Sequence, residues 1–210
     1  MSTPVIENPI QPHRAKGRPR TFDRAAALEK ALGVFWARGF APATIAELCA
    51  AMGINPPSLY AAFGNKAQLF MEAVGHYERL FWDATWDRMS DEPDVHAAIG
   101  DFFTAAVDIL TTPDAPCGCM VVLGAINVPA EAQGIVDALR KLREEGRGLF
   151  LERLTQGLAD GQLPVGTDID GIATTLNTLL QGMSIEASDG ASRARLDQVA
   201  AGARALLPHS

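Results

Sequence analysis

The sequence predicts an all-α protein, with a small three-helix head at the N-terminus and a larger helical body behind it. Ala, Leu and Glu dominate the long segments, and strand-like runs are scarce. Helix-capping residues recur just ahead of apolar periodic stretches. The charge is divided as well. Residues 1–66 carry eight Lys/Arg against four Asp/Glu, a net of +4, while residues 67–210 carry ten against twenty-one, a net of -11. In a chain whose total is -7, the positive charge is placed rather than spread. A basic front on an acidic body suits a head that meets phosphate and a body that avoids it.

Residues 1–20 read as a flexible basic arm, because Pro4, Pro9, Pro12 and Pro19 break any regular helix. Its end, His13-Arg14-Ala15-Lys16-Gly17-Arg18-Pro19-Arg20, gathers the cations Arg14, Lys16, Arg18 and Arg20. A first helix is expected from about Thr21 to Arg38. Leu28, Leu32, Phe35 and Trp36 form its packed stripe, and Gly39 stands where a left-handed residue ends it. Thr44-Ile45-Ala46-Glu47 fits a capping box that opens a second helix. That helix buries Ile45, Leu48 and Met52 and ends at Gly53, with Cys49 assigned to packing.

Asn55 then caps a short third helix, with Pro56 at its first position, where a missing N–H costs nothing. Two helices joined through a glycine turn of about three residues form a helix–turn–helix, here spanning Thr44 to Phe63, with Leu59 and Phe63 facing inward. Asn65 caps a fourth helix expected to run to about Met89. Further helices are expected at about 93–111, 119–127, 130–159, 168–187 and 192–206. Gly161, Pro164 and Gly166 mark one break, and Ser188-Asp189-Gly190 another. The chain thus divides into an arm (1–20), a helix–turn–helix domain (21–66) and a body (67–210), with the last boundary inside the fourth helix.

Composition narrows the class. With 48% apolar residues in 210, a sizeable core is available, yet no run approaches about 18 uninterrupted apolar residues, so no membrane span is expected. No apolar core precedes the basic cluster, unlike a secretory signal, and three cysteines are not a disulfide framework. A cytoplasmic protein without a cofactor follows as the expectation. An enzyme is disfavoured, since no phosphate loop or metal triad is present and no motif ties His76 or His96 to a cysteine. Cys117-Gly118-Cys119 is the remaining chemical signal. It reads as structural, as a thiol sensor of oxidants or electrophiles, or as a two-thiolate Cu(I) ligand, and no metal site is assigned on two ligands. An architectural DNA binder without an effector sits badly with an acidic body of this size.

The run Thr44-Ile45-Ala46-Glu47-Leu48, Met52-Gly53-Ile54, Ser58-Leu59-Tyr60-Ala61-Ala62-Phe63-Gly64-Asn65-Lys66 and Leu69-Phe70 resembles the DNA-binding domain of the TetR family of transcriptional repressors. Pro-Pro-Ser-Leu-Tyr-Ala-Ala-Phe-Gly, with the later Gly-Cys-Met-Val-Val at 118–122, resembles a subgroup that includes a copper-responsive repressor of outer-membrane permeability.

The resemblance implies a ligand-responsive repressor that binds a pseudo-palindromic double-stranded operator as a homodimer. A helix–turn–helix sets the start of its second helix against base edges, which places Asn55, Pro56, Pro57, Ser58 and Ala61 there. None is a bidentate reader, so DNA shape and the arm carry much of the expected specificity. The family pattern assigns phosphate contacts to Thr44, Tyr60 and Lys66, although Thr44 also fits a cap alone and Tyr60 a core aromatic. In the body, the last two long helices are the family's dimer elements. They carry the stripes Ile172, Leu176, Leu179, Leu180, Met183 and Leu196, Val199, Ala203, Leu206, which fit intramolecular core equally well. For an unknown small-molecule effector, the candidates are Phe81, Trp82, Trp86, Phe102 and Phe103 from the earlier helices. Cys119, Met120, Leu123 and Met183 complete that set.

A dimer making about eight phosphate contacts is expected to lose affinity with a log–log salt slope of about -7. Replacing Arg18 and Arg20 by Ala flattens that slope if the arm lies on DNA. An unchanged slope removes the arm from the interface.

Overall fold

A computed structural model describes residues 22–126 and 128–209. Among these, the regular structure is helical. The head comprises α1 (Arg24–Arg38), α2 (Ile45–Met52) and α3 (Pro56–Phe63). The body follows with α4 (Lys66–Phe81), α5 (Asp83–Asp91), α6 (Val95–Leu110), the single turn α7 (Met120–Leu123), α8 (Gln133–Ala159), α9 (Ile169–Ser188) and α10 (Arg193–Ala205). A 3₁₀ turn, Ala130–Ala132, leads into α8.

The local chemistry of the head explains its outline. Asp23 caps α1 by accepting from the amides of Ala25 and Ala26, so the helix starts later than the apolar pattern alone suggests. Both halves of the Thr44/Glu47 capping box form: Glu47 N donates to Thr44 Oγ1 at 3.2 Å, and Thr44 N donates to Glu47 Oε2 at 3.0 Å. Gly53 closes α2 at φ 68°, ψ 32°, a left-handed conformation that a side chain would strain. Asn55 then accepts from Ser58 N at 2.9 Å, and Asn65 from Gln68 N at 2.9 Å.

Beneath these caps, Leu32, Phe35, Leu48, Cys49, Leu59 and Phe63 are buried together. Phe35 meets Phe70 edge-on at 5.1 Å, which joins the head core to α4. The Arg24 guanidinium strengthens the same seam. It pairs with Glu72 at 2.6 Å, donates to Ala62 O and lies 4.4 Å from the Phe63 ring centroid.

The fourth helix does not run unbroken to Met89. It ends at Phe81, and Trp82 (φ -111°, ψ -39°) interrupts it before α5. The Trp82 indole there donates to the buried Tyr77 Oη at 2.9 Å, a contact between side chains that no apolar periodicity records. Likewise α7 is a single turn within the broader segment expected at 119–127.

The body core is aromatic around Phe102, Phe103 and Phe150. Phe103 stacks on Phe150 at 5.9 Å, and Phe102 meets its edge at 5.0 Å. α10 packs on α6 and α9, and α9 on α8. The two C-terminal stripes divide between core and surface. Leu176, Met183, Leu196 and Ala203 are buried, Ile172, Leu179, Leu180 and Val199 are half-buried, and Leu206 is exposed, as is Ile185 of α9.

Candidate nucleic-acid interface and effector cavity

α3 presents two chemically different faces. Leu59 and Phe63 point into the head, while Asn55, Pro56, Pro57, Tyr60 and Ala61 are exposed and Ser58 is half-buried. Tyr60 is 47% exposed with its apolar ring in solvent, so it is not a core aromatic. Thr44 N and Thr44 Oγ1 both donate to the Glu47 carboxylate, which lowers its pKa, and Oγ1 also accepts from Glu47 N.

Lys66 is engaged before any phosphate arrives. Its Nζ donates to Ala41 O at 3.1 Å and lies 4.6 Å from the Phe40 ring centroid, and burial lowers its ammonium pKa. An ammonium carries three N–H donors, so two stay available. Arg38 is tied to Glu47 at 2.8 Å, and Arg24 to Glu72. Two head arginines therefore hold helices together. Arg14, Lys16, Arg18 and Arg20 lie outside the described residues.

A cavity of about 430 Å³ opens in the body between α4–α5, α7, α8 and α9. Trp82, Trp86 and Cys119 of the sequence-derived candidates line it, together with Val121, Val122 and Leu180. The remaining candidates are placed elsewhere. Phe81 packs on Trp36 and Tyr77, Phe103 stacks in the core, and Phe102 lines a separate cleft of about 320 Å³ with Thr85 and Asp101. Met120 and Met183 are buried in the core and Leu123 is half-buried; none of the three lines the cavity.

Sequence reasoning missed the polar part of the wall: Glu78, Asp83, Asp87 and Glu145, with Arg143 and Asn177. The signal for α8 and α9 was small and polar residues within otherwise packed faces, since Gly146 and Asn177 are both buried.

Burial, with Asp83 and Glu145 nearby, pushes the Glu78 carboxyl up from 4.5 to about 7. As pH rises from about 4.5 to about 7, the unfolded chain releases this proton while the folded chain keeps it. Stability attributable to Glu78 therefore falls across that window. Glu78→Gln should flatten this part of the stability-versus-pH curve in denaturant titrations, and an unchanged slope would contradict the assignment.

Cys117 and Cys119 differ in setting. Cys117 is exposed, whereas Cys119 is buried against the cavity, and burial pushes its thiol up. The Cys117–Cys119 segment also touches the head. Trp36 Nε1 of α1 donates to Gly118 O at 2.9 Å, and Phe40 N donates to Gly124 O at 2.6 Å. α7 thus has the cavity on one side, through Val121 and Val122, and the head at both ends.

Residues 27–73 match the family model for bacterial regulatory proteins of the tetR family, and residues 96–207 match the tetracyclin repressor-like C-terminal domain. The chain belongs to the TetR family. The HTH-type transcriptional repressor ComR of Escherichia coli (strain K12) is 33% identical over 196 residues, covering 93% of each chain. The repressor BdcR of the same organism is 34% identical over 122 residues, 58% of this chain and 62% of that one.

Among solved structures, a triple cysteine mutant of the TetR-family regulator CifR, complexed with 26-bp double-strand operator DNA, is 41% identical. It superposes with a TM-score of 0.88, over 91% of this chain and 100% of that one. This TetR-family chain is accordingly a DNA-binding transcriptional regulator with an N-terminal helix–turn–helix domain and a helical C-terminal domain. No helix among its described residues is long and apolar enough to cross a membrane.

Proposed function

We propose that this regulator represses transcription in the cytoplasm by binding a pseudo-palindromic operator as a homodimer, and that a small molecule seated in the 430 Å³ cavity releases it. The observation that carries the reading is the position of α7, between the cavity wall and both anchor points of the head. In this reading Pro57, Ser58 and Ala61 meet base edges, with Asn55 and Pro56 at the start of the recognition helix. Thr44, Tyr60, Lys66 and the arm residues Arg14, Lys16, Arg18 and Arg20 meet phosphates.

A ligand that favours one arrangement of Val121 and Val122 shifts α7 and, through Gly118 O and Gly124 O, the angle of α1 against the body. Because two heads must match the half-site spacing together, a small tilt in each lowers operator affinity. The exposed apolar residues Ile185 and Leu206 on the C-terminal helices support the dimer part of the reading.

The test is selection of genomic DNA fragments by the purified protein, followed by sequencing. An enriched pseudo-palindrome is expected. Binding that is salt-sensitive but indifferent to sequence would overturn the operator reading and favour an architectural role. Sensing through Cys117 and Cys119 stays the alternative trigger, separated by the response of a Cys117→Ser, Cys119→Ser protein to copper or a quinone.

A further inference from the structure

The walls of the cavity are not those of a neutral hydrophobic pocket. Trp82 and Trp86, with ring centroids 6.3 Å apart at 33°, both contribute to one wall. Four carboxylates, Glu78, Asp83, Asp87 and Glu145, line the same space against one cation, Arg143. Arg143 is partly spent within the protein, because its Nη1 donates to Val121 O at 2.8 Å.

The floor adds a polar group that the protein leaves available to the cavity. Asn177 is 8% exposed, lines the cavity, and makes no side-chain hydrogen bond among the described residues. Its carboxamide atoms are not sealed from solvent, so they can exchange a hydrogen bond with whatever occupies the cavity. Beside it, Gly146 leaves the helix surface bare. A Cβ there would sit 3.4 Å from the Trp86 ring and 3.7 Å from Asn177 Oδ1.

We infer that the effector is an organic cation, a protonated amine on a compact apolar body, with its ammonium between the tryptophan faces and the carboxylates and an N–H donated to Asn177. The inference rests on the proposed role of this cavity. The chemistry is direct: tryptophan faces attract a desolvated cation, and surplus carboxylates raise its local concentration. An anionic ligand would gain Arg143 but meet four carboxylates. A neutral one would leave their mutual repulsion unrelieved. Glu78 adds a pH signature, because it must ionise fully to pair with the cation. It is faced by Asp83 and Glu145, by Arg79 beside it on α4, and by the cavity-lining Arg143 and Cys119.

Three probes of one shape decide the matter: 1-aminoadamantane, 1-adamantanol and 1-adamantanecarboxylate, titrated by calorimetry into the full-length protein. The amine should bind about tenfold or more tighter than the alcohol, and the carboxylate most weakly. Amine affinity should rise from about pH 6 to about pH 8 as Glu78 ionises near 7, with the alcohol flat. Glu78→Gln with Asp87→Asn should lower amine affinity about tenfold and leave the alcohol unchanged, which mere damage to the fold would not do. Gly146→Leu should block all three.

Equal or tighter binding of the alcohol or the carboxylate overturns the inference, and so does no binding by any probe. Operator binding measured in parallel separates the two proposals. Amine binding without DNA release sinks the release mechanism alone, while release by an uncharged or anionic compound sinks the cation alone.

Discussion

Tyr60→Ala should lower operator affinity on the order of a hundredfold and leave the melting temperature nearly unchanged. The ring is 47% exposed on α3, one position after the fully buried Leu59 and three before the buried Phe63, so it contributes little to the head core. A hydroxyl donating to a charged phosphate oxygen is worth about 1.5 kcal/mol, and the proposed dimer loses it twice, about 3 kcal/mol in all. Surface replacements away from caps and cores stay within about 0.5 kcal/mol in stability. Phe63→Ala in the same helix gives the opposite pattern, about 3–5 kcal/mol of lost stability. Fluorescence anisotropy on the selected operator, paired with thermal denaturation, reads both. Tight operator binding retained by the Tyr60 variant would take this residue out of the interface.

Gly118→Ala should be a strongly damaging single-methyl change in the body. Gly118 holds φ 87°, and a Cβ there would lie 2.7 Å from Ser184 O and 2.6 Å from Leu123 Cδ1. Neither the sign of φ nor the backbone carbonyl can be accommodated by a rotamer change, so the segment itself must move. Three contacts leave with it: Gly118 N to Leu110 O at 3.2 Å, Cys119 N to Ser184 Oγ at 2.7 Å, and Trp36 Nε1 to Gly118 O at 2.9 Å. A loss of about 3 kcal/mol is expected, seen as a fall of roughly 6–12 °C in melting temperature for a chain of this size. The last contact adds a functional readout: operator affinity should change although no altered residue faces DNA. A variant with native stability and native affinity would show that the segment is slack, and with it the connection between cavity and head.

The head was legible because its boundaries are written in short-range chemistry. Thr44, Glu47, Asn55 and Asn65 each satisfy amides within three residues of themselves, and Gly53 supplies a backbone conformation that its own sequence position demands. The break at Trp82 was not legible, since the apolar pattern continues through it and the deciding hydrogen bond, to Tyr77, is between side chains packed in three dimensions.

The cavity was half legible for a related reason. Large apolar residues are easy to nominate, but most of them exist to fill space. Phe103 is taken up by its stack on Phe150, and Phe102 by its edge contact with the same ring. Space is left where a side chain is absent or polar, as at Gly146 and Asn177, and such residues carry no periodic signature. Lys66 shows the limit from the other side. Its position matches a phosphate contact, yet only the fold reveals that Ala41 O and Phe40 already claim part of its ammonium.

α7 consists of four residues, and two of them, Val121 and Val122, line the cavity; under the proposed release mechanism the same two are also the lever. A descendant that trades either valine for a larger or smaller residue to suit a new compound also resets how firmly that compound pulls on the head. Under that mechanism, taste and loudness are inherited together. Lineages that drift to a new chemical signal should pass through forms that hear it too faintly or answer without it, until compensation arrives at Trp36 or Phe40 on the far side of the turn.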